Sequence, residues 1–236
     1  MGYGIIETAD AMSRMIQRMD HVSLNLANSS TSGFKAEHLY ASGQAALPQE
    51  VSGDYTLPPA KAVIDFSRGI TQKTGNALDM MIETDGFFTV QTKNGMAYTR
   101  RGDFTLSRDG TLVTQTGDPV MGEGGPLMIQ GQNVSIGRDG AIKVDNAEIG
   151  RLKIAAFTDP GTLSRGEGGY FTSTTEPERA EKQEIVQGVV ELSNVNIIRE
   201  MVDMIDIQRS FEVYQKVIQT MSEEDKTAVT RIGRLV

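Results

Sequence analysis

Apolar residues recur at helical spacing near the start of the chain. One row repeats every seven residues, a companion row lies four residues further on, and two more residues widen the stripe. The rows contain Ile5, Met12, Met19 and Leu26; Ala9, Ile16 and Ser23; and Met15 and Val22. Such a repeat is typical of a helix that packs along another helix. The pattern predicts an N-terminal helix about 35 Å long at 1.5 Å per residue.

A similar repeat occupies the end of the chain. Its two heptad rows are interrupted by Glu200 and Asp225, and a second apolar stripe lies beside them. The rows contain Ile197, Met204, Phe211 and Ile218; Ile207, Tyr214, Met221 and Ala228; and, in the second stripe, Val195, Ile198, Val202 and Ile205. A strict seven-residue repeat favours left-handed helix pairing. We therefore expect a C-terminal helix of about 45 Å or more.

Glycine and proline are concentrated in the middle of the chain. All seven prolines lie between Pro48 and Pro177, and neither residue type occurs in 5–32 or 189–232. Because both disfavour helix interiors, their distribution supports a helix at each end and a turn-rich centre.

The centre carries three hairpin patterns. The turns and their flanking runs are Asn94-Gly95 between 87–90 and 98–100, Arg108-Asp109-Gly110 between 104–107 and 111–114, and Arg138-Asp139-Gly140 between 134–137 and 141–144. Asn-Gly between strand-like runs is a strong hairpin signal. The two Arg-Asp-Gly hairpins align with one another as a weak internal repeat. Residues 151–157 predict one further strand.

These patterns together predict an α+β fold. Long N- and C-terminal helices pack as a coiled-coil-like pair, and a central all-β, hairpin-rich domain lies between them in the sequence. The predicted divisions are 1–34 for the N-terminal helix, 35–75 for an extended connector, 76–180 for the β domain and 181–236 for the C-terminal helix.

Composition narrows the classes of function. The chain has 236 residues, a formal net charge of −8 and no cysteine. The absence of cysteine excludes a disulfide scaffold, a thiolate zinc site, an iron–sulfur cluster and a cysteine nucleophile. The acidic balance argues against nucleic-acid binding, which needs clustered cations. No stretch approaches the ~20 apolar residues of a membrane helix, so membrane insertion is not expected. No cleavable secretory signal is visible, so a protein of this sequence that acts outside the cytoplasm would need another export route.

Candidate catalytic and metal-binding motifs are weak. His21 and His38 lack the spacing of a metal pair or a catalytic triad. The glycine-rich run 121–126 lacks the Lys-Ser/Thr of a phosphate loop. A glycosidase-type carboxylate pair stays open, because such a pair is defined in space rather than in sequence. We predict no catalytic residue, no cofactor and no metal.

The apolar stripes suggest assembly. A helix with apolar residues on two faces needs two neighbours. One intramolecular helical hairpin is the simpler alternative, but it leaves the second stripe of the C-terminal helix uncovered. We therefore expect ends that are mobile in a lone subunit and ordered in a polymer.

Several motifs occur in an order that resembles a known family. They are Ser23-Leu24-Asn25-Leu26-Ala27-Asn28 with Thr31-Ser32-Gly33-Phe34-Lys35, the runs 78–88 and 98–113, and the C-terminal runs 187–196, 200–205 and 208–212 with Lys216. This arrangement resembles bacterial flagellar rod and hook proteins over nearly the whole chain. Within that family it is most similar to the proximal-rod branch, with the distal-rod branch as runner-up.

The resemblance implies a structural subunit rather than an enzyme. Its terminal helices would form the rod core, polymerise, and transmit torque across the periplasm to the hook. Its partners would be copies of itself, other proximal- and distal-rod subunits and the flagellar type III export apparatus. Its location would be the basal body.

The predicted assembly interface draws on the motifs and on both helices. It comprises Ile5, Met12, Ile16, Met19, Asn25, Leu26, Asn28, Thr31, Gly33, Phe34, Glu191, Ser193, Asn194, Val195, Met201, Met204, Ile205, Gln208, Arg209, Phe211, Glu212 and Lys216. Two other classes of function stay open beside it. One is a periplasmic carbohydrate-active or peptidoglycan-cleaving enzyme, and the other is a soluble coiled-coil adaptor.

Overall fold

The computed structural model describes residues 2–41, 60–179 and 183–232. Residues 42–59 of the predicted connector therefore lie outside the described residues. Two compact units are present. The helical unit comprises Met1–Ala27, Glu37–Val63 and Asn196–Val236, and the β unit comprises Asn28–Ala36 and Ile64–Val195.

The helical unit contains two helices and two short strands. They are α1 Gly2–Ala27, β1 Glu37–Ala41, β2 Ala60–Ile64 and α2 Ile197–Ile232. The strands pair with one another, and α1 packs against α2. At the start of α2, Asn196 accepts a hydrogen bond from the amide of Arg199 through its side-chain oxygen. Asparagine is a favoured residue at this position because it satisfies a free amide of the first turn.

The prediction of long helices packed as a coiled-coil-like pair is wrong. Over the residues whose side chains are described, the helices run for about 20 and about 27 residues, and coiled-coil packing between them is not shown. In α1 the companion row Ala9, Ile16 and Ser23 is exposed, whereas Met15 and Val22 are half-buried. A 3.6-residue period drifts from a 3.5-residue repeat, so the covered stripe lies to one side of the predicted seam.

The same correction applies to α2. A coiled coil buries its row positions on the partner helix. Of the heptad-row residues described in α2, only Ile207 is fully buried, while Ile197 is 44% exposed. Met204, Phe211, Tyr214, Ile218 and Met221 are half-buried.

The β unit is built from short antiparallel strands. They are β3 Thr71–Lys73, β4 Met80–Ile82, β5 Phe87–Thr92, β6 Gly95–Thr99, β7 Thr105–Leu106, β8 Leu112–Val113, β9 Met121–Gly122, β10 Gly125–Pro126, β11 Val134–Ile136, β12 Ala141–Val144, β13 Ala147–Arg151, β14 Ile154–Ala156, β15 Leu163–Arg165, β16 Phe171–Ser173, β17 Glu178–Arg179, β18 Ile185–Gln187 and β19 Val189–Glu191. The largest sheet has the strand order β15-β16-β6-β5-β14-β17.

The three predicted hairpins are confirmed. β5 pairs with β6 across a turn at Lys93-Asn94, one residue earlier than predicted, with Gly95 paired to Thr92; β7 pairs with β8, and β11 pairs with β12. The predicted strand 151–157 is instead divided, since β13 ends at Arg151 and β14 begins at Ile154.

Two apolar clusters hold the β unit together. Successive residues of β5 point to opposite faces of the sheet, so Phe88 lies in the larger cluster and Phe87 in the smaller one. The smaller cluster is aromatic, and Phe66 packs edge-on against both Phe87 and Phe171. Edge-to-face contacts of this kind add to the area buried.

The chain segment that precedes α2 belongs to the β unit. β18 pairs with β4, and β19 pairs with β3, so residues 185–191 close onto the start of the unit. The pairing of β19 with β3 brings the C-terminal motif next to residues 71–73.

Candidate assembly interface

The predicted interface residues fall into three classes of exposure. Asn25, Gly33, Phe34, Glu191 and Ser193 are buried; Met12, Met19, Leu26, Asn28, Thr31, Asn194, Val195, Met204 and Phe211 are half-buried; and Ile16, Met201, Ile205, Gln208, Arg209, Glu212 and Lys216 are exposed. Ile5 lies in α1, at a position whose side chain is outside the described residues. The polar motif residues are thus mostly internal, and the exposed members lie mostly on α2.

The exposed members of α2 adjoin an apolar surface. Ile198, Met201, Val202 and Ile205 are 76%, 50%, 52% and 48% exposed. We call these four residues the outer apolar stripe. Their spacing of three, four and seven residues places them on one face of the first turns of α2. Further along that face Arg209, Glu212 and Lys216 make it charged.

The opposite face of α2 is the covered one. Ile207 and Glu200 are 3% and 4% exposed and lie about half a helical turn from the outer apolar stripe. The helix α2 thus carries apolar residues on two faces, and within this chain only one of those faces is covered. The outer apolar stripe is therefore available to another molecule.

A buried ionic cluster lies in the β unit. The ammonium of Lys35 donates to a carboxylate oxygen of Glu191 and to the carbonyl of Ser67, both at 2.6 Å. The same oxygen of Glu191 accepts from the amide of Gly69 at 2.9 Å. Burial lowers the pKa of Lys35, and the bond to Glu191 opposes that lowering. We call Lys35, Glu191 and Arg100 the ionic node.

Arg100 completes the ionic node. Its guanidinium lies 4.0 Å from Glu191 and donates to the carbonyls of Ile82 and Thr84. Burial lowers the pKa of Arg100, and the charge of Glu191 partly restores it. A charge buried this deeply needs such partners, because desolvation of an isolated ion is costly.

The backbone is tightly packed around the ionic node. The amide of Gly33 donates to the carbonyl of Glu191 at 2.6 Å. Gly33 has a φ of +64°, and a Cβ there would lie 2.4 Å from the backbone of Arg100. Only glycine satisfies both constraints without displacement. The family motif residue is therefore required by packing inside the subunit.

Asn194 ties the same segments together through its side chain. Its amide oxygen accepts from the backbone of Ala36 at 2.7 Å, and its amide nitrogen donates to the carbonyls of Asp65 and Ser67. Arg165 adds a stacking contact over the ring of Phe34. The segments 33–36, 65–69 and 191–194 thus form one polar assembly within the β unit.

A second buried polar cluster lies in the helical unit around Asn25. The side chain of Asn25 donates to the carbonyl of Glu37 at 2.9 Å and accepts from its amide at 3.0 Å. It also donates to the carboxylate of Glu200 at 3.3 Å. Burial raises the pKa of Glu200, and the bond from Asn25 opposes that rise. Asn25 thus joins α1, β1 and α2.

Both histidines lie near this cluster. The Nδ1 atom of His21 is 3.5 Å from a carboxylate oxygen of Glu37, and His38 lines the same small cavity. Within the part of the chain that the structure describes, no three histidine, aspartate or glutamate side chains come together as metal ligands. Neither helix, over its described residues, combines the length and apolarity that crossing a membrane requires.

Sequence reasoning did not select several residues that matter here. Lys35 belonged to a recognised motif, but its ion pair with Glu191 spans 156 positions and has no local signal. Arg100 likewise gave no sign of burial. Ile198 and Val202 belonged to the predicted second stripe but not to the predicted assembly interface. Their exposure in the structure places them on the uncovered face of α2.

Comparison with known proteins identifies the family. Residues 186–231 match the family model described as flagellar basal body rod FlgEFG protein C-terminal, and residues 81–144 match that of the flagellar hook protein FlgE/F/G D1 domain. The chain belongs to the flagellar basal-body rod protein family.

Individual relatives cover nearly the whole chain. It is 33% identical over 230 residues to the flagellar basal-body rod protein FlgF of Caulobacter vibrioides, covering 93% of each chain. It is 32% identical to FlgF of Escherichia coli K12, covering 94% of this chain and 95% of that one. It is 34% identical to FlgG of Buchnera aphidicola from Schizaphis graminum, covering 87% and 90%.

Proposed function

We propose that this chain is a structural subunit of the proximal part of the flagellar rod. It polymerises with copies of itself and with other rod proteins through its terminal helices. The rod so formed spans the periplasm and transmits torque to the hook. The subunit reaches its site through the flagellar type III export apparatus.

The outer apolar stripe is the observation that carries this proposal. Its four side chains are about half or more exposed in the single chain. Full burial of one large apolar side chain contributes roughly 1.5–3 kcal/mol, so covering the stripe stabilises contact by several kcal/mol per subunit. Exposed contiguous apolar surface marks an interaction site.

A mechanical role is consistent with the β unit. Packed interiors have low compressibility and transmit strain. The ionic node and the hydrogen bonds of Asn194 join segments within the β unit that are far apart in sequence. Head-to-tail contacts between such subunits generate a helical filament when the rotation does not close a ring.

We propose no catalytic role for the ionic node. Lys35, Glu191 and Arg100 are at most 7% exposed, and each is engaged by protein groups. A distal-rod position is the second candidate, favoured by an identity to FlgG as high as that to FlgF.

Replacing Ile205 with lysine tests the proposal in a strain that lacks its own copy of the gene. We expect a folded protein that fails to enter basal bodies and does not restore swimming, because a charge replaces a covered apolar side chain. The matched control is Gln219→Lys, at an exposed polar position of the same helix. Normal swimming with Ile205→Lys would contradict the proposal. The position of a tagged chain in isolated basal bodies separates a proximal from a distal role.

A further inference from the structure

A cleft opens on the β unit beside the turn between β5 and β6. It lies among Asn94 in that turn, Thr116 and Asp118 in the loop after β8, and the segment 166–170. The space that a ligand can occupy is about 220 Å³, below the ~300–1,000 Å³ of sites that enclose larger ligands, so the cleft holds a single small group. All of its lining residues belong to the β unit.

A hydrogen-bonded network holds one wall of the cleft. The hydroxyl of Tyr170 donates to Oδ2 of Asp118 at 2.7 Å, and the hydroxyl of Thr116 donates to the same oxygen at 2.7 Å. Burial raises the pKa of Tyr170, and the charge of Asp118 adds to that rise, so the phenol stays a donor. The carboxylate of Asp118 is therefore held in a fixed orientation.

The other oxygen of Asp118 is available to a ligand. Within the described residues, Oδ1 of Asp118 accepts no hydrogen bond from a protein group, while Oδ2 accepts two. The side chain is half-buried at the edge of the cleft. An acceptor that the protein already orients binds a ligand hydroxyl at little cost in ordering.

The remaining lining combines charged, polar and apolar groups. Lys93, Asp118 and Glu167 give the cleft one positive and two negative side chains, which disfavours anions. More of the lining surface is apolar than polar, so the cleft also contacts the C–H groups of a ligand. The side-chain amide of Asn94 donates to a carboxylate oxygen of Glu167 at 3.4 Å, and the donor and acceptor atoms that this exposed bond leaves over suit ligand hydroxyl groups.

Glycine keeps the cleft open. Gly168 has a φ of +70°, and a Cβ at this position would lie 3.2 Å from the ring of Tyr170. A side chain there would crowd the wall that carries the Tyr170–Asp118 network. A residue with a side chain would therefore be strained at this φ and would also narrow the cleft.

We propose that this cleft binds a neutral saccharide, with Asp118, Asn94 and Glu167 as its hydrogen-bonding groups. The proposal does not rest on the rod function, since the cleft and the outer apolar stripe lie in different units. Its failure would leave assembly untouched.

Titration of the purified full chain with two trisaccharides tests the proposal by NMR. Chitotriose and cellotriose are the probes, and both are neutral. We expect at least one of them to shift resonances of Asn94, Thr116 and Gly168 with a Kd of about 1 mM or lower. Asp118→Asn turns the acceptor that faces the cleft into a donor, and we expect it to weaken binding by about tenfold.

Two further variants complete the test. Asn94→Ala changes an exposed turn residue, so it retains the fold and is expected to weaken binding even if Asp118→Asn unfolds. Lys143→Ala, at an exposed position outside the cleft, is expected to bind as the natural chain does. The proposal is wrong if neither trisaccharide shifts these resonances, if binding survives Asn94→Ala unchanged, or if only a polyamine such as spermidine binds.

Discussion

The ammonium of Lys35 lies 2.6 Å from a carboxylate oxygen of Glu191, and the two side chains are 1% and 3% exposed. Lys35 is the last residue of the N-terminal motif, and Glu191 ends the last strand before α2. One buried ion pair therefore joins, within the β unit, the segment that follows α1 in sequence to the segment that precedes α2.

Loss of one partner of this pair is expected to destabilise the chain strongly. Glu191→Gln leaves the ammonium of Lys35 buried without its counter-ion, and such changes cost about 3–5 kcal/mol. Urea unfolding of the full chain measures the effect. The control is Arg151→Met, which removes an ion pair with Asp139 whose side chains are 37% and 58% exposed. We expect the control to cost less than about 1 kcal/mol. Equal losses in the two variants would contradict the account of the ionic node.

Asn25 is expected to be a stability determinant of the helical unit. Asn25→Ala removes three hydrogen bonds from a side chain that is 1% exposed. Losses at buried polar groups cost about 1–3 kcal/mol each, so we expect a total of about 3 kcal/mol by urea unfolding. Ser23→Ala, at an exposed position of the same helix, is expected to change stability by less than about 0.5 kcal/mol. A loss below about 1 kcal/mol for Asn25→Ala would show that the cluster is not needed.

Glu200 is expected to make stability depend on pH. Burial raises its folded-state pKa above the ordinary value of 4.5. The folded state then binds a proton more readily than the unfolded state, so the contribution is fully present below pH 4.5 and is lost as pH rises through the raised pKa. Glu200→Gln keeps an acceptor for Asn25 and cannot ionise.

Unfolding of this variant and the natural chain should therefore be compared at several pH values. We expect Glu200→Gln to gain stability relative to the natural chain as pH rises from 4.5 towards neutrality. A difference that stays constant over this range, or that changes in the opposite direction, would exclude Glu200 as the source of the pH dependence.

Local signals predicted the hairpins and most of the covered face of α2, but not the whole covered face of α1. The Asn94-Gly95 signal predicted the hairpin of β5 and β6, although the turn itself lies at Lys93-Asn94 and Gly95 begins β6. Which side of α1 is covered depends on its neighbour, so the seven-residue repeat placed exposed Ile16 in the seam. The ionic node has no local signal, because Lys35 and Glu191 meet only when residues far apart in sequence fold together.

Maleimide labelling of an engineered cysteine tests the central claim most directly, because the chain has no cysteine of its own. Ile205→Cys is expected to label rapidly in the purified subunit and at least about tenfold more slowly in isolated basal bodies, where neighbouring subunits cover the outer apolar stripe. The same basal bodies, dissociated in denaturant, serve as the control and should label fully. Equal labelling rates in the free subunit and in intact basal bodies would contradict the claim that this face of α2 is the assembly surface.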